Sequence, residues 1–223
     1  MTRVYLLVEG QTEEAFVREL LVQHYARLGL YITPIIVSTR PGYKGGVVRY
    51  EKIKPQIGRL CRQDEGAYVT TLFDLYALPQ DFPGKTDAAY PVTGSGQQKA
   101  GFLESQLAQD IGQANFIPNL MVHEFEALLF VDTRKFAEWV DNYSIVISLG
   151  DQAQQYPTPE DINDSPQNAP SKRILRAMPD YKKTVHGPLI ACEIGLDAMR
   201  GACPHFNEWL KKLEALLPST ATT

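Results

Sequence analysis

Arg3-Val4-Tyr5-Leu6-Leu7-Val8-Glu9-Gly10-Gln11-Thr12-Glu13-Glu14 is an apolar run that stops at a glutamate and turns through glycine into a helix start. A short aliphatic run bounded by a turn signal reads as a buried strand. The acid that ends it stands where open α/β sheets collect their ligands, beyond the carboxyl ends of the strands. Glu13 follows one helical turn later. Glu13 and Glu14 lie where a helix dipole welcomes negative charge, but Glu9, ahead of a glycine, has no such duty.

Working outward, strand and helix signals alternate, which predicts parallel βα units. Thr12 is expected to cap a helix whose apolar face runs Phe16, Leu20, His24 and Leu28 with Val17, Leu21 and Tyr25 beside it, ended by Gly29. Residues 30–37 read as a second strand that Pro34 confines to an edge. A loop with Pro41, Gly42, Gly45 and Gly46 follows, then a helix over 49–63 that Pro55 should break or kink. Residues 67–75 form a third strand, ending in Asp74. The Pro- and Gly-rich stretch 77–96 is long enough to overhang a site, and Ser95 should cap a helix over 96–112. Residues 116–122 supply a fourth strand. His123-Glu124-Phe125-Glu126 comes at once, opening a helix in which residues 124 and 126 point about 200° apart, so that one of them faces the site; Glu126 is the better candidate. Beyond residue 132 strand signals cease and the pattern is helical, interrupted by prolines from Pro157 to Pro204. The expected organisation is an α/β core, 1–131, with an α-helical extension, 132–223.

The composition suits a globular chain: 223 residues, 44% hydrophobic, net charge −4. No run approaches the roughly 18 apolar residues of a membrane span, and the start lacks a signal-peptide pattern, so a cytoplasmic protein without a membrane partner is expected. Cys61, Cys192 and Cys203, an odd number without CxxC spacing, give no disulfide framework or zinc knuckle. Zinc-protease spacing, a phosphate loop and a nucleophile elbow are absent too.

The acids that end strands or open helices are Glu9, Glu13, Asp74, Glu124 and Glu126. Parallel topology brings such ends together, and clustered carboxylates repel unless protons or a cation neutralise them. Oxygen ligands of this kind suit Mg²⁺ or Mn²⁺. Charge is uneven elsewhere. Residues 40–62 hold Arg40, Lys44, Arg49, Lys52, Lys54, Arg59 and Arg62 against Glu51 alone, a local charge of +6. Such a stretch either tracks a phosphate backbone or is a solvated helix face. Lys172, Arg173, Arg176, Lys182 and Lys183 form a second basic cluster, open to phosphate contact or interhelical packing.

Val8-Glu9-Gly10-Gln11-Thr12-Glu13 and Phe73-Asp74-Leu75-Tyr76 resemble the motifs of the Toprim domain, the metal-dependent module of primases, type II topoisomerases, some small nucleases and the overcoming-lysogenization-defect (OLD) nucleases. More narrowly, the chain resembles a bacterial Toprim-like family classed as a domain of unknown function and often encoded beside an ABC-type ATPase. That resemblance rests on Phe73-Asp74-Leu75-Tyr76, Asp81-Phe82-Pro83-Gly84, His123-Glu124-Phe125-Glu126-Ala127-Leu128-Leu129-Phe130, Ala169-Pro170-Ser171-Lys172-Arg173-Ile174 and Cys203-Pro204-His205-Phe206, and it spans nearly the whole chain. In one respect the chain departs from the Toprim pattern: Tyr76 stands where a second aspartate is usual. A two-metal arrangement would then need Glu124 or Glu126 from the neighbouring strand end.

The resemblance implies a Toprim-like, Rossmann-like parallel sheet of about four strands flanked by helices, with an α-helical C-terminal extension. It also implies phosphodiester hydrolysis of DNA or RNA with Mg²⁺ or Mn²⁺. Glu9, Glu13, Asp74 and Glu126 would then be metal ligands, and Glu9 and Asp74 catalytic residues. Lys172 would be the lysine that completes OLD-type sites, and Arg40, Lys44, Arg49 and Lys52 would meet the nucleic acid. An ABC-type ATPase subunit is the implied partner, in bacterial defence or DNA repair. The alternative is a noncatalytic Toprim-like adaptor docking on that ATPase.

Overall fold

A computed structural model of the chain describes residues 1–40, 43–44, 49–76, 78–162 and 167–217, the side chains of residues 39, 40, 43 and 44 apart. The first strand, β1 (Thr2–Val8), leads into α1 (Gln11–Phe16), a π-helical stretch (Val17–Val22) and α2 (Gln23–Ala26). Strand β2 (Leu30–Ile36) follows, then a small antiparallel ribbon of β3 (Ser38–Arg40) and β4 (Tyr43–Lys44), helix α3 (Tyr50–Gln63) and strand β5 (Ala67–Asp74). Helix α4 (Gly96–Ile111) precedes two short strands, β6 (Phe116–Ile117) and β7 (Leu120–Met121). The rest is helical: 3-10 segments at Phe125–Val131, Thr133–Trp139 and Pro159–Asp161, and helices α5 (Ser144–Ala153), α6 (Pro170–Ala177), α7 (Lys183–Ile194), α8 (Leu196–Ala202) and α9 (Pro204–Glu214).

The main sheet is parallel throughout, in the order β2-β1-β5-β6, with β7 also on β5. It is thus an α/β fold with a five-stranded parallel sheet and a helical C-terminal region. The chain leaves β1 toward β2 on one side and leaves β5 toward β6 and β7 on the other. The strand order therefore reverses between β1 and β5, and their carboxyl ends flank a crevice.

Alternation along the strands sorts two cores. Val4, Leu6, Val8 and Leu72 face a cluster built with Phe16, Leu21, Phe125, Phe206 and Trp209, so this core draws on both the sheet and the C-terminal helices. Leu7, Val69 and Phe73 face a second cluster with Ile57 of α3 and Leu103 of α4.

Several local expectations are corrected by the fold. The first helix begins at Gly10 without a side-chain cap, and Thr12 is buried instead. Val17, Leu21 and Tyr25 are buried as expected, but the helix passes through a π-helical stretch and Leu28 is left 49% exposed. Pro55 and Pro188 lie inside α3 and α7 without ending either helix, and Pro170 and Pro204 begin helices at a position where the missing N–H costs nothing. The expected strand over 116–122 is split at Pro118-Asn119, where Thr71 Oγ1 accepts the Asn119 N–H at 3.0 Å and Asn119 Nδ2 donates to the Thr71 carbonyl at 3.2 Å. The stretch after β5 is tied down rather than hung over the site. Asp81 accepts the Tyr50 N–H at 3.0 Å, capping α3, Phe82 is buried against Tyr50, and Lys85 bonds the Leu78 carbonyl. Pro34 does lie in an edge strand, and Ser95 does cap α4 through a reciprocal bond with Gln98. Pro41, Gly42, Gly45 and Gly46, Pro166 and the tail from Pro218 lie outside the described residues.

Candidate functional site

The crevice between β1 and β5 is closed by acids. Glu9 follows β1, and its Oε1 accepts the backbone N–H of Asp74, the last residue of β5, at 2.9 Å. Asp74 Oδ1 in turn accepts the N–H of Phe125 at 3.0 Å. That bond aligns the 3-10 segment Phe125–Val131, which carries Glu126 inward. Glu13, in the first turn of α1, is buried beside them.

The residue that turns the chain toward this arrangement is His123. Its φ of 68° lies in the left-handed region, a conformation that costs a histidine on the order of 1–3 kcal/mol and that concentrates at functional sites. Burial, with the charge of Lys99, pushes its imidazole down to about 4, so it is neutral near pH 7. The helix expected to open at 123 begins two residues later, and the two glutamates separate. Glu124 Oε2 accepts the Ser171 N–H at 2.9 Å, at the start of α6, while Glu126 is fully buried at the crevice.

A lysine stands among these acids. Lys183, the first residue of α7, places Nζ 3.2 Å from Glu126 Oε2, 3.7 Å from Glu13 Oε1 and 3.8 Å from Asp74 Oδ2. Helix α7 comes close because residue 187 is glycine: a Cβ there would meet Tyr181 Oη at 2.9 Å and Phe125 Cε1 at 3.1 Å. Despite the short separation from Lys183, both Glu126 oxygens are buried without a hydrogen-bond partner, as is Tyr181 Oη. A buried polar atom without a partner is costly; the Trp139 indole nitrogen is a fourth such atom among the described residues.

The electrostatics follow from burial and crowding. Burial, with the charge of Glu13, pushes Glu9 up to about 7. Burial likewise pushes Glu126 up to about 7 against the opposing pull of Lys183. Asp74 is raised well above the carboxylate range, again by burial first, with Lys183 opposing and Glu9, Glu13 and Glu126 adding. Burial pulls the Lys183 ammonium down, but Asp74, Glu126 and Glu13 outweigh it and hold it charged. Four carboxylates around one ammonium leave an excess of negative charge, so the cluster favours taking up protons or a further cation.

Hard oxygen donors suit a divalent cation chemically. The arrangement around Lys183 does not close on one: among the described residues, no group of three or more His, Cys, Asp or Glu is placed to hold a metal ion.

Of the residues singled out in the sequence, Glu9, Glu13, Asp74 and Glu126 are brought to the crevice. Lys172 is not: it is exposed on α6, and the lysine among the acids is Lys183. Tyr76, in place of the second aspartate, is 42% exposed. Arg49 and Lys52 are exposed at the start of α3, the end that faces the carboxyl edge of the sheet. The side chains of Arg40 and Lys44 lie outside the described residues. Arg173, from the second basic cluster, is buried and bonds the Asn168 carbonyl and Tyr156 Oη, a packing role. The sequence did hold a signal for Lys183: a cation opening a helix opposes the dipole and needs anions nearby.

The molecule is thus an α/β protein whose acids meet at the strand reversal of a parallel sheet. The chain belongs to the family described as Domain of unknown function (DUF4276), whose model matches residues 8–214. No curated protein matches it. Solved structures of the C-terminal region of the OLD protein of Xanthomonas campestris pv. campestris are similar. One is 15% identical with a TM-score of 0.45, covering 96% of this chain and 97% of that one. Another is 15% identical with a TM-score of 0.43, covering 95% and 98%. No helix among the described residues is long and apolar enough to cross a membrane.

Proposed function

We propose that the chain is a Toprim-like nuclease, dependent on Mg²⁺ or Mn²⁺, that hydrolyses phosphodiesters of DNA or RNA in the cytoplasm as the effector subunit of an ABC-type ATPase in bacterial defence or DNA repair. The observation that carries this reading is the meeting of Glu9, Glu13, Asp74 and Glu126 at the strand reversal, with Glu126 fully buried and only Lys183 to balance its charge. A divalent cation held by these acids would neutralise them and polarise a phosphate oxygen. The protein's own contributions are more specific. Glu9, with its affinity for a proton raised toward neutrality, is suited to take a proton from attacking water. Asp74 is held in place at both ends, by its own N–H to Glu9 and by Phe125 to its Oδ1. Arg49 and Lys52 offer exposed charge to a phosphate backbone on the same side of the sheet.

A noncatalytic adaptor has one specific support: Lys183 already balances part of the acid charge, as in a purely structural cluster. Purified protein, with and without its ATPase partner, should be incubated with DNA and RNA in Mg²⁺ or Mn²⁺. Cleavage lost in Glu9→Gln and in Asp74→Asn supports the nuclease. Cleavage that persists in both removes the site, and no cleavage under any condition leaves the adaptor.

A further inference from the structure

Tyr76 presents an exposed aromatic ring from a fixed backbone. Phe73 and Leu75 before it are buried in the second core. The Leu75 N–H donates to the Met121 carbonyl at 3.0 Å and the Tyr76 N–H to the His123 carbonyl at 3.1 Å. His123, the residue with left-handed backbone that parts Glu124 from Glu126, thus anchors Tyr76 as well. Two residues beyond Asp74, the Tyr76 Cα lies within about 7 Å of that aspartate's. The ring therefore stands at the rim of the acid crevice, and the residue is 42% exposed. A tyrosine has few rotatable bonds and gives up little freedom when a flat partner covers it.

Cations lie along the same edge. Asp81, which follows Tyr76 in the chain, accepts the Tyr50 and Glu51 N–H groups at 3.0 and 3.3 Å. The chain between Tyr76 and Asp81 reaches at most about 18 Å. The start of α3, with exposed Arg49 and Lys52, is thereby kept within a few nucleotides' length of Tyr76. The acids lie deeper, since the side chains of Glu13, Asp74 and Glu126 are 5%, 10% and 0% exposed. A phosphate reaches them only by entering the crevice, and the bases beside it must turn away from their neighbours to let it in. Paired bases resist that, because pairing and stacking are both lost. An exposed aromatic ring beside basic side chains is the arrangement that holds single strands.

We infer that Tyr76 is a stacking platform for an unpaired base next to the reacting phosphate, and that the substrate enters the crevice as a single strand of DNA or RNA. The inference rests on the reading above for the place of that phosphate, and it adds the strand state of the substrate. Stacking accepts every base, since each has a π face, so the platform selects strand state rather than sequence. Arg49 and Lys52 take phosphates further along the strand. A duplex reacts only where it is frayed or gapped.

Fluorescence anisotropy on the full chain tests this with a labelled single-stranded DNA, a single-stranded RNA and the blunt DNA duplex of the same sequence, in EDTA and in Ca²⁺. Wild type should bind at least one single strand several-fold tighter than the duplex. Tyr76→Ala should weaken that binding about tenfold and leave duplex binding nearly unchanged, while Tyr76→Trp should bind as tightly as wild type. The added tryptophan emission of Tyr76→Trp, after subtraction of the wild-type signal from Trp139 and Trp209, should be quenched by the single strand and not by the duplex. A merely structural role would not give that quenching. Single-strand binding by Tyr76→Ala equal to wild type overturns the inference. So does equal loss on single strand and duplex without quenching in Tyr76→Trp, and so does a wild type that prefers the duplex or binds nothing. Cleavage in Mg²⁺ is scored separately. A wild type that shows the selectivity but cleaves nothing ends the nuclease reading and leaves the platform. Equal cleavage of intact duplex and single strand, unchanged in Tyr76→Ala, leaves the nuclease and ends the platform.

Discussion

Glu9 Oε1 accepts the backbone N–H of Asp74 at 2.9 Å, so two neighbouring parallel strands are joined at their carboxyl ends by a side chain rather than by the ladder. The same carboxylate faces Glu13 and is raised toward neutrality by burial. Its structural and electrostatic roles thus oppose each other. Glu9→Gln keeps an acceptor for the Asp74 N–H and removes a repelled charge. Glu9→Ala leaves that N–H without its partner, at a cost of about 1–3 kcal/mol. Urea denaturation at pH 8 should find the glutamine variant at least as stable as wild type and the alanine variant less stable, while both lose Mn²⁺ binding. Equal destabilisation by the two would show that the carboxylate itself, not the bond to Asp74 that a glutamine also makes, dominates at this position.

The pH dependence of stability has a definite sign. Glu9 and Glu126 both titrate near 7 in the folded protein, above the ordinary carboxylate range. The native state therefore binds their protons more tightly than the unfolded chain does. Their contribution is fully present below the unfolded value and is lost as pH rises through about 7. Each group contributes a slope approaching about 1.4 kcal/mol per pH unit across that window. The Glu9→Gln/Glu126→Gln double variant lacks this loss. Its stability advantage over wild type, measured by denaturant titration without metal, should be largest near pH 8 and shrink toward pH 5. An advantage that does not change with pH would mean that the two acids are not desolvated as the fold implies.

The crevice was legible in the sequence because strands ending in acids signal it directly: Glu9 after Val8 and Asp74 after Phe73 needed only parallel topology to meet. Glu126 was reached by helical geometry, although the segment is a 3-10 helix and the separation of the two glutamates comes from the left-handed backbone of His123. No residue pattern announces a histidine with positive φ, since the conformation is imposed by neighbours distant in sequence. In the sequence Lys183 is one member of a basic cluster with nothing to set it apart, and the family resemblance points to Lys172 instead. What decides between them is the close seating of α7 through Gly187, a tertiary contact. The split of the last strand was similarly hidden, because Pro118-Asn119 is repaired by Thr71, on a strand 48 positions away from Asn119.

The helical region is held to the sheet by a bond that sequence patterns do not reveal. The Trp209 indole N–H in α9 donates to Thr70 Oγ1 in β5 at 2.9 Å, and both residues are buried. Thr70 occupies an inward position of the central strand, where an apolar β-branched residue would be expected; its hydroxyl serves the one polar atom of the largest side chain in that core. Thr70→Val keeps the shape, removes the acceptor and strands the indole N–H in an apolar setting. It should lower stability by about 1–3 kcal/mol with an unchanged denaturant slope. Trp209→Phe also destabilises, through lost volume, but in that background Thr70→Val should cost much less, because no donor remains to be stranded. A double-mutant cycle by urea denaturation measures the difference. Additive costs would mean that the bond contributes nothing and that packing alone seats α9. Mn²⁺ affinity should be the same in all four proteins, since neither residue is among the acids of the crevice; a shared loss would instead tie the site to the docking of the C-terminal helices.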